Sequence, residues 1–130
     1  MDIERHGFGF AVDIGQQRAF SAISGDDNPI HLDPAVAAAH GFDGPVVYGA
    51  LILGQVSRLI GTVVPGHGAL WHDVRIDFRA PLVIDRPAEL AATVEHRTDA
   101  LGSVRLAFSV TAKGRMIASG SATASRRPTP

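Results

Sequence analysis

The sequence predicts a single α+β domain in which an antiparallel sheet wraps around a central apolar helix. Two observations carry this prediction. Residues 49–61 have helical apolar spacing over most of the helix circumference, so this helix must be buried. From Ala69 onward the apolar residues recur at every second position, in segments separated by turns, which is the pattern of antiparallel strands. A buried helix followed by several such strands is the order of elements in an α+β domain.

Three shorter elements precede the central helix. A short strand is predicted near residues 8–12, followed by a helix that Asp13 can N-cap, with glutamine at the capping-box position. Asp33 followed by Pro34 is a strong helix start, because it supplies a cap residue and then proline at the first helical position. This second, alanine-rich helix is predicted to end near Gly41.

The strands of the C-terminal half can be placed individually. The first begins at Ala69, and one irregularity in its alternation is interpreted as a β-bulge. Turns are predicted at 99–102 and at Lys113-Gly114, and a last strand over 116–124. The apolar members of the alternation are Trp71, Val74, Ile76, Phe78, Leu90, Ala92, Val94, Val104, Leu106, Phe108 and Val110.

Composition and charge exclude several classes of function. The formal net charge of −1 argues against nucleic acid as a partner, because nucleic-acid binding needs a basic surface. The chain has no cysteine, which excludes a disulfide, a thiolate nucleophile and a cysteine-ligated zinc site. No apolar run approaches the length of a membrane span. We therefore expect neither a nucleic-acid partner nor a membrane partner.

The domain organisation follows from length and from the two ends of the sequence. At 130 residues the chain is long enough for one domain with a substantial core, and it has no internal repeat. We predict one domain over residues 1–125 and a disordered tail over 126–130, because two of the last three residues are proline. The first ten residues lack the apolar segment of a secretory signal, so the cytoplasm is the expected location.

The stretch between the first two helices is the most informative for function. It places a carboxylate, Asp26, and an imidazole, His31, five positions apart across Asn28-Pro29. Pro29 fixes its own φ angle and disfavours the helical region for the preceding residue, so the segment is stiff and extended. Two groups of different intrinsic acidity, held within reach of one water or substrate proton, are what general acid–base catalysis requires.

The same stretch resembles the hydratase motif of the MaoC-like (R)-specific enoyl-CoA hydratase and dehydratase family, whose members adopt the hot-dog fold. The positions that carry the resemblance are Phe20, Ser24, Gly25, Asp26, Asn28, Pro29, Ile30, His31 and Ala37. A weaker resemblance continues in Gly49–Leu51, Val64–Gly66 and Ile76–Pro81. The fold that the resemblance implies, a sheet around a central helix, agrees with the arrangement that the apolar pattern predicts.

The chain departs from the family in two places. Tyr48 stands directly before Gly49, where relatives usually carry histidine. The segment 81–87 lacks the Gly-Asp pair that relatives often show there. The first difference concerns the shape of the pocket and acyl specificity, and the second concerns a turn. Neither difference affects Asp26 or His31.

The resemblance implies reversible hydration of a trans-2-enoyl thioester to an (R)-3-hydroxyacyl thioester. Asp26 and His31 would activate the water that adds to C3 and would return a proton to C2. The N–H of Gly49, at the start of the buried helix, would stabilise negative charge on the thioester oxygen. Ser57, two turns further along, would help to hold Asp26 or the water.

The resemblance also implies the partners of the chain. The substrate would be an acyl-CoA or an acyl-carrier-protein thioester, the assembly a homodimer, and no cofactor or metal ion would be needed. The apolar helix and strand surfaces would line a tunnel for the acyl chain. Candidate contacts for the phosphates of the carrier are arginines, and nothing in the sequence selects among Arg75, Arg79, Arg97 and Arg105.

Several alternatives remain open from the sequence. A hot-dog thioesterase would hydrolyse the same thioesters, and a carrier-protein-dependent dehydratase or a non-catalytic acyl-thioester-binding subunit would have the same fold. Taken singly, Asp26 and Asn28 are typical turn residues, His31 is compatible with a structural histidine, and Ser57 with an inert helix residue. A further alternative to the acid–base pair is a metal site made of neighbouring acidic and histidine side chains, which are Asp26, Asp27, His31 and Asp33.

Overall fold

A computed structural model describes residues 3–98, 100 and 102–127 of the chain. The helices are α1 (Ile14–Ser24), a one-turn 3-10 helix (Pro29–His31), α2 (Pro34–Ala39) and α3 (Gly49–Thr62). The strands are β1 (Arg5–Phe10), β2 (Ala69–Phe78), β3 (Ala88–Thr98), β4 (Ser103–Ala112) and β5 (Arg115–Arg126). None of the described helices is long and apolar enough to cross a membrane.

The five strands form one antiparallel sheet in the order β1-β3-β4-β5-β2. Strands β3, β4 and β5 follow one another along the chain and are joined by short connections. Strand β2 pairs with the last strand, β5, and therefore occupies one edge of the sheet, while β1 occupies the other. The predicted bulge is confirmed, because the register of β2 against β5 shifts between Trp71 and Asp73.

The core lies between α3 and one face of the sheet. Buried residues of α3, which are Ile52, Val56, Leu59 and Ile60, join one apolar cluster with alternate residues of the strands. The sheet contributes Ala88, Leu90, Ala92, Val104, Leu106, Phe108, Val110, Ile117, Ala118, Ala122 and Ala124 to this cluster. The predicted α+β architecture, with a sheet around an apolar helix, is confirmed.

The residues predicted to start the two α-helices before α3 do so in the structure. Asp13 Oδ1 accepts a hydrogen bond from the Gln16 N–H, and Gln16 Oε1 accepts one from the Asp13 N–H, which completes a capping box for α1. Helix α1 ends at Gly25, whose φ of 80° lies in the left-handed region that favours glycine. Asp33 caps α2 through the Ala35 N–H, with proline at its first position.

The boundaries differ from the predictions by a few residues. Strand β1 begins at Arg5 rather than near residue 8, and β5 continues to Arg126, one residue past the predicted end of the domain. Arg126 remains in the sheet because it pairs with Ala69 and its N–H donates to the Gly102 carbonyl oxygen at 3.0 Å. The last three residues of the predicted tail, and two residues of the predicted turn at 99–102, lie outside the described residues.

Candidate active site

The loop between α1 and α2 is held in shape by side chains that bond to nearby backbone N–H groups. Ser24 Oγ accepts from the Asp26 N–H at 3.0 Å, and Asp26 Oδ1 accepts from the Asn28 N–H at 3.2 Å. Asn28 Oδ1 accepts in turn from the Ile30 N–H at 3.2 Å. The Asp26 carboxylate is therefore a turn-forming group, as its residue type suggests. Its second oxygen has no hydrogen-bond partner among the described residues, and Asp26 is exposed.

His31 has one ring nitrogen fixed by the backbone. Its Nδ1 lies 2.6 Å from the carbonyl oxygen of Val46. A carbonyl oxygen only accepts hydrogen bonds, so Nδ1 carries the hydrogen, and in the neutral ring Nε2 is left with its lone pair. Nε2 has no partner among the described residues. Nε2 of the half-buried ring is therefore free to accept a proton.

Tyr48 connects the two candidate acid–base residues. Its ring stacks on the His31 ring with a centroid distance of 4.1 Å and an interplanar angle of 27°. Its hydroxyl donates to the backbone carbonyl oxygen of Asp26 at 2.5 Å. The Phe20 ring packs against the Tyr48 ring in a tilted arrangement, with a centroid distance of 4.7 Å. The sequence singled out Tyr48 only as a departure from the family, and its position before Gly49 was the one signal available.

Gln17 is a second residue of the site that the sequence analysis did not select. Its side chain is fully buried and makes three hydrogen bonds to separate parts of the backbone. Nε2 donates to the carbonyl oxygens of His31 and Val46, both at 2.9 Å, and Oε1 accepts from the Tyr48 N–H at 3.1 Å. Gln17 therefore joins α1, the loop with His31 and the segment before α3. Its position one helical turn before Phe20, on the packed face of α1, was the available signal.

Gly49 begins α3 and borders a groove of about 440 Å³. The capping residue Tyr48 offers the first turn no side-chain hydrogen bond, and the Gly49 N–H has no acceptor among the described residues. A methyl group added at Gly49 would lie 3.0 Å from Cζ of Phe78, so only glycine fits without movement of this ring. The groove therefore presents an unpaired amide at the positive end of a helix dipole.

Ser57 forms no hydrogen bond with the other three predicted residues in the part of the chain that the structure describes. The residues of α3 that face the core lie on one side of the helix, and Ser57 lies on the exposed side. Its hydroxyl forms no hydrogen bond with Asp26 or with any other described residue. In contrast, Asp26, His31 and Gly49 converge around Tyr48, which contacts the first two and directly precedes the third. The contribution of Ser57 remains a prediction.

A metal site is not formed by these side chains. Within the part of the chain that the structure describes, no three His, Cys, Asp or Glu residues lie close enough to hold a metal ion. Asp26, Asp27 and Asp33 each lie on the loop or at its end, and the bonds of Asp26 and Asp33 go to backbone N–H groups. The arrangement that remains is a carboxylate, an imidazole and an unpaired backbone N–H.

The chain is similar in sequence to a family model and to several known proteins. The model of the family described as "MaoC like domain" matches residues 10–114. The (R)-specific enoyl-CoA hydratase of Aeromonas caviae is 40% identical over 77 residues, which is 59% of this chain and 56% of that protein. The 3-hydroxybutyryl-CoA dehydratase of Methylorubrum extorquens is 32% identical over 103 residues, which is 79% of this chain and 66% of that protein. The aligned part of this chain thus spans less than two thirds of the length of either relative.

Solved structures agree over a longer part of the chain. The (R)-hydratase from A. caviae superimposes with a TM-score of 0.89 at 25% identity and covers 98% of both chains. The R-hydratase PhaJ1 from Pseudomonas aeruginosa superimposes with a TM-score of 0.88 at 26% identity, over 98% of this chain and 82% of that one. The shared fold is the hot-dog fold, so the fold that the motif implied is confirmed.

Proposed function

The chain belongs to the MaoC-like domain family, and from this premise we propose that it catalyses the reversible hydration of a trans-2-enoyl thioester to an (R)-3-hydroxyacyl thioester. The observation that carries the proposal is the orientation of His31. Its Nδ1 is bound to the Val46 carbonyl oxygen, and Nε2 is left as a proton acceptor beside the loop that holds Asp26. The relatives named as a hydratase and a dehydratase support the same reaction class.

The proposed reaction uses Asp26 and His31 as a pair. A water molecule donates a hydrogen bond to the free Asp26 oxygen and gives one proton to the pair as its own oxygen bonds to C3 of the enoyl group. The pair then returns a proton to C2, so that the elements of one water molecule are added across the double bond. In the reverse direction the same groups remove the C2 proton and protonate the leaving hydroxyl, as microscopic reversibility requires.

Gly49 is proposed to stabilise the charge that develops during this addition. Attack at C3 moves negative charge onto the thioester carbonyl oxygen, which then needs preorganised hydrogen-bond donors. The unpaired Gly49 N–H at the start of α3 is such a donor, and the absence of a side chain lets the thioester approach the backbone. Ser57, an exposed residue two turns further along α3, is proposed to help to hold Asp26 or the water.

The acyl chain and the assembly are also part of the proposal. The groove beside Gly49 is lined by apolar residues that include Val47, Ile52 and Leu82, which suits an acyl chain. Strand β2 is ten residues long and forms an edge of the sheet, and it exposes large apolar side chains. Because an exposed edge strand invites pairing with another chain, we propose a two-fold homodimer. The cytoplasmic location stays a prediction from the sequence.

The direct test of the proposed function is turnover of crotonyl-CoA. We expect loss of the absorbance of the enoyl thioester without release of free thiol, and formation of the (R)-3-hydroxybutyryl thioester. Release of thiol at the same rate as the loss of absorbance would identify a thioesterase instead. Binding of crotonyl-CoA without either change, in a folded sample, would identify a non-catalytic binding subunit.

A further inference from the structure

A second groove adjoins the groove beside Gly49. This second groove, which we call the hairpin groove, has a volume of about 520 Å³. Its walls come from the segment after α2, the segment between β2 and β3, and the turn between β4 and β5. The two grooves share Pro81 and Leu82 as wall residues. The two grooves are therefore adjacent and lie between Gly49 and the β4–β5 turn.

The hairpin groove concentrates positive charge in a protein whose net charge is −1. Three cationic side chains line it, Arg86, Lys113 and Arg115, together with one anionic side chain, Asp43. Arg86 is already paired with Asp43 at 2.9 Å. Lys113 and Arg115 form no ion pair with any described residue, so both are free to bind an anion. Lys113 is also the single lysine of the sequence.

The two free cations are held by a tight turn. Strand β4 ends at Ala112 and β5 begins at Arg115, and these two residues pair with each other. The two residues between them, Lys113 and Gly114, have φ angles of 49° and 72°. A two-residue connection with both φ angles positive is the compact hairpin turn that matches the twist of the strands. The backbone under both cations is therefore well defined, which suits a binding site more than a mobile loop would.

We propose that the hairpin groove binds the phosphate groups of coenzyme A, an inference that rests on the proposed hydration of a thioester. Coenzyme A carries a diphosphate and a 3′-phosphate at one end of a flexible pantetheine arm and the thioester at the other. In this proposal the arm runs from the hairpin groove past the shared wall residues, Pro81 and Leu82, into the groove beside Gly49. Cationic side chains bind phosphate oxygens through charge-assisted hydrogen bonds.

The size and charge of the groove favour coenzyme A over an acyl carrier protein. A volume of about 520 Å³ lies within the range of small-molecule sites, roughly 300–1,000 Å³. Several cations in one concave site match a ligand with several phosphates, whereas the prosthetic arm of a carrier protein carries a single phosphate. The cations of the hairpin groove are not among the four arginines that the sequence analysis named as candidate phosphate contacts. Of those four arginines, only Arg79 lines either groove.

The test compares crotonyl-CoA with crotonyl-pantetheine, which lacks all the phosphates together with the adenosine of coenzyme A. The variant Lys113→Asn/Arg115→Gln removes both free cations, and asparagine tolerates the positive φ at position 113. We expect KM for crotonyl-CoA to rise about five- to tenfold at low salt with kcat unchanged, since each contact is exposed and screened by ions. KM for crotonyl-pantetheine, which has no phosphate, should be the same in the variant and the wild type.

The matched control removes the same charge elsewhere. Arg5→Gln/Arg18→Gln takes two exposed cations from β1 and α1, outside both grooves, and should leave KM for crotonyl-CoA unchanged. An equal rise in KM in this control, or an equal rise for crotonyl-pantetheine in the groove variant, would overturn the proposal. A rise confined to crotonyl-acyl carrier protein would overturn the assignment of coenzyme A.

Binding of free coenzyme A can be measured whether or not the protein catalyses the proposed reaction. It therefore tests the hairpin groove independently of the proposed function. If the wild type turned over neither thioester, the proposed hydration would be wrong, but calorimetry with coenzyme A would still test the groove. The proposal then expects a Kd about five- to tenfold weaker in Lys113→Asn/Arg115→Gln than in the wild type or the control. The same Kd in all three proteins, or no binding to any of them, would overturn it.

Discussion

The Tyr48 hydroxyl donates a 2.5 Å hydrogen bond to the backbone carbonyl oxygen of Asp26, while the Tyr48 ring stacks on His31. One side chain thus sets the relative position of two groups that lie five residues apart on an exposed loop. The loop has few other attachments at Asp26, because its remaining hydrogen bonds are local. A catalytic pair needs this kind of support, since small displacements of the reacting groups lower the rate.

Removal of the hydroxyl in Tyr48→Phe should lower kcat with little change in KM or stability. The Asp26 carbonyl oxygen can then turn to solvent, so the cost in free energy of unfolding should stay near about 1 kcal/mol. We expect kcat to fall about three- to tenfold, because the carboxylate is held less well. Phe20→Leu is the control, since it loosens the packing on Tyr48 without removing the hydroxyl. A larger loss of kcat in the control would contradict this role.

The elements of the fold were predictable because they depend on local patterns. The capping box at Asp13 and the alternation around Leu106 each involve residues that are close in sequence. The bonds of Gln17 were not predictable in the same way, because they reach residues 14 to 31 positions away. The backbone groups that Gln17 binds are determined only when α1 packs against the segment before α3. The exposed position of Ser57 was unpredictable for the same reason, since the exposed side of α3 depends on the packing of the whole helix.

Asp26→Asn and His31→Ala should each lower turnover by at least about a hundredfold, as expected for loss of a general acid or base. Asparagine keeps an oxygen that can accept from the Asn28 N–H, so the loop should keep its shape. The double variant should be little slower than the slower single variant, because the two groups act as a unit. Asp27→Asn is the control, because it changes the neighbouring exposed carboxylate. A folded Asp26→Asn with nearly full activity would refute the assignment.

Gln17→Leu should destabilise the protein mainly through the backbone groups that it leaves unpaired. The buried Tyr48 N–H loses its acceptor, and the carbonyl oxygen of His31 loses a donor. Each unsatisfied buried group costs about 1–3 kcal/mol, so the loss at two groups should lower the free energy of unfolding by roughly 2–6 kcal/mol in urea denaturation. Gln55→Leu is the control, since Gln55 bonds only to the exposed Arg58. Equal stability of the two variants would contradict the structural role of Gln17.

Light scattering of an active sample should give the mass of two 13.7 kDa chains. The expected contact is the free edge of β2, so a charge placed there in Val74→Lys should shift the mass toward that of one chain. Ala38→Lys adds the same charge to the exposed side of α2 and should leave the dimer intact. A monomeric mass for the fully active wild type would show that the edge is left unpaired.

Loss of the Gly49 N–H tests the proposed site for the thioester oxygen. Proline deletes this donor, and the backbone accepts proline here for two reasons. Gly49 is not among the glycines with positive φ, and Tyr48 has φ −55° and ψ 130°, the extended region that the residue before proline prefers. The steric problem is Phe78, whose ring lies 3.0 Å from the position of an added Cβ. Both the proline and the alanine variant should therefore be made in a Phe78→Leu background.

In that background, Gly49→Ala keeps the N–H and adds the same Cβ as Gly49→Pro. The difference in kcat and KM between the two variants therefore has two sources. One is the loss of the N–H donor, and the other is any steric obstruction by the remaining atoms of the proline ring. We expect kcat of the proline variant to be about a hundred- to a thousandfold lower, the usual cost of losing one oxyanion donor. KM should change much less, because charge on the oxygen develops mainly in the transition state, whereas obstruction by the ring would raise KM as well. Equal turnover of the two variants, in equally folded samples, would place the oxyanion donor elsewhere than at the start of α3.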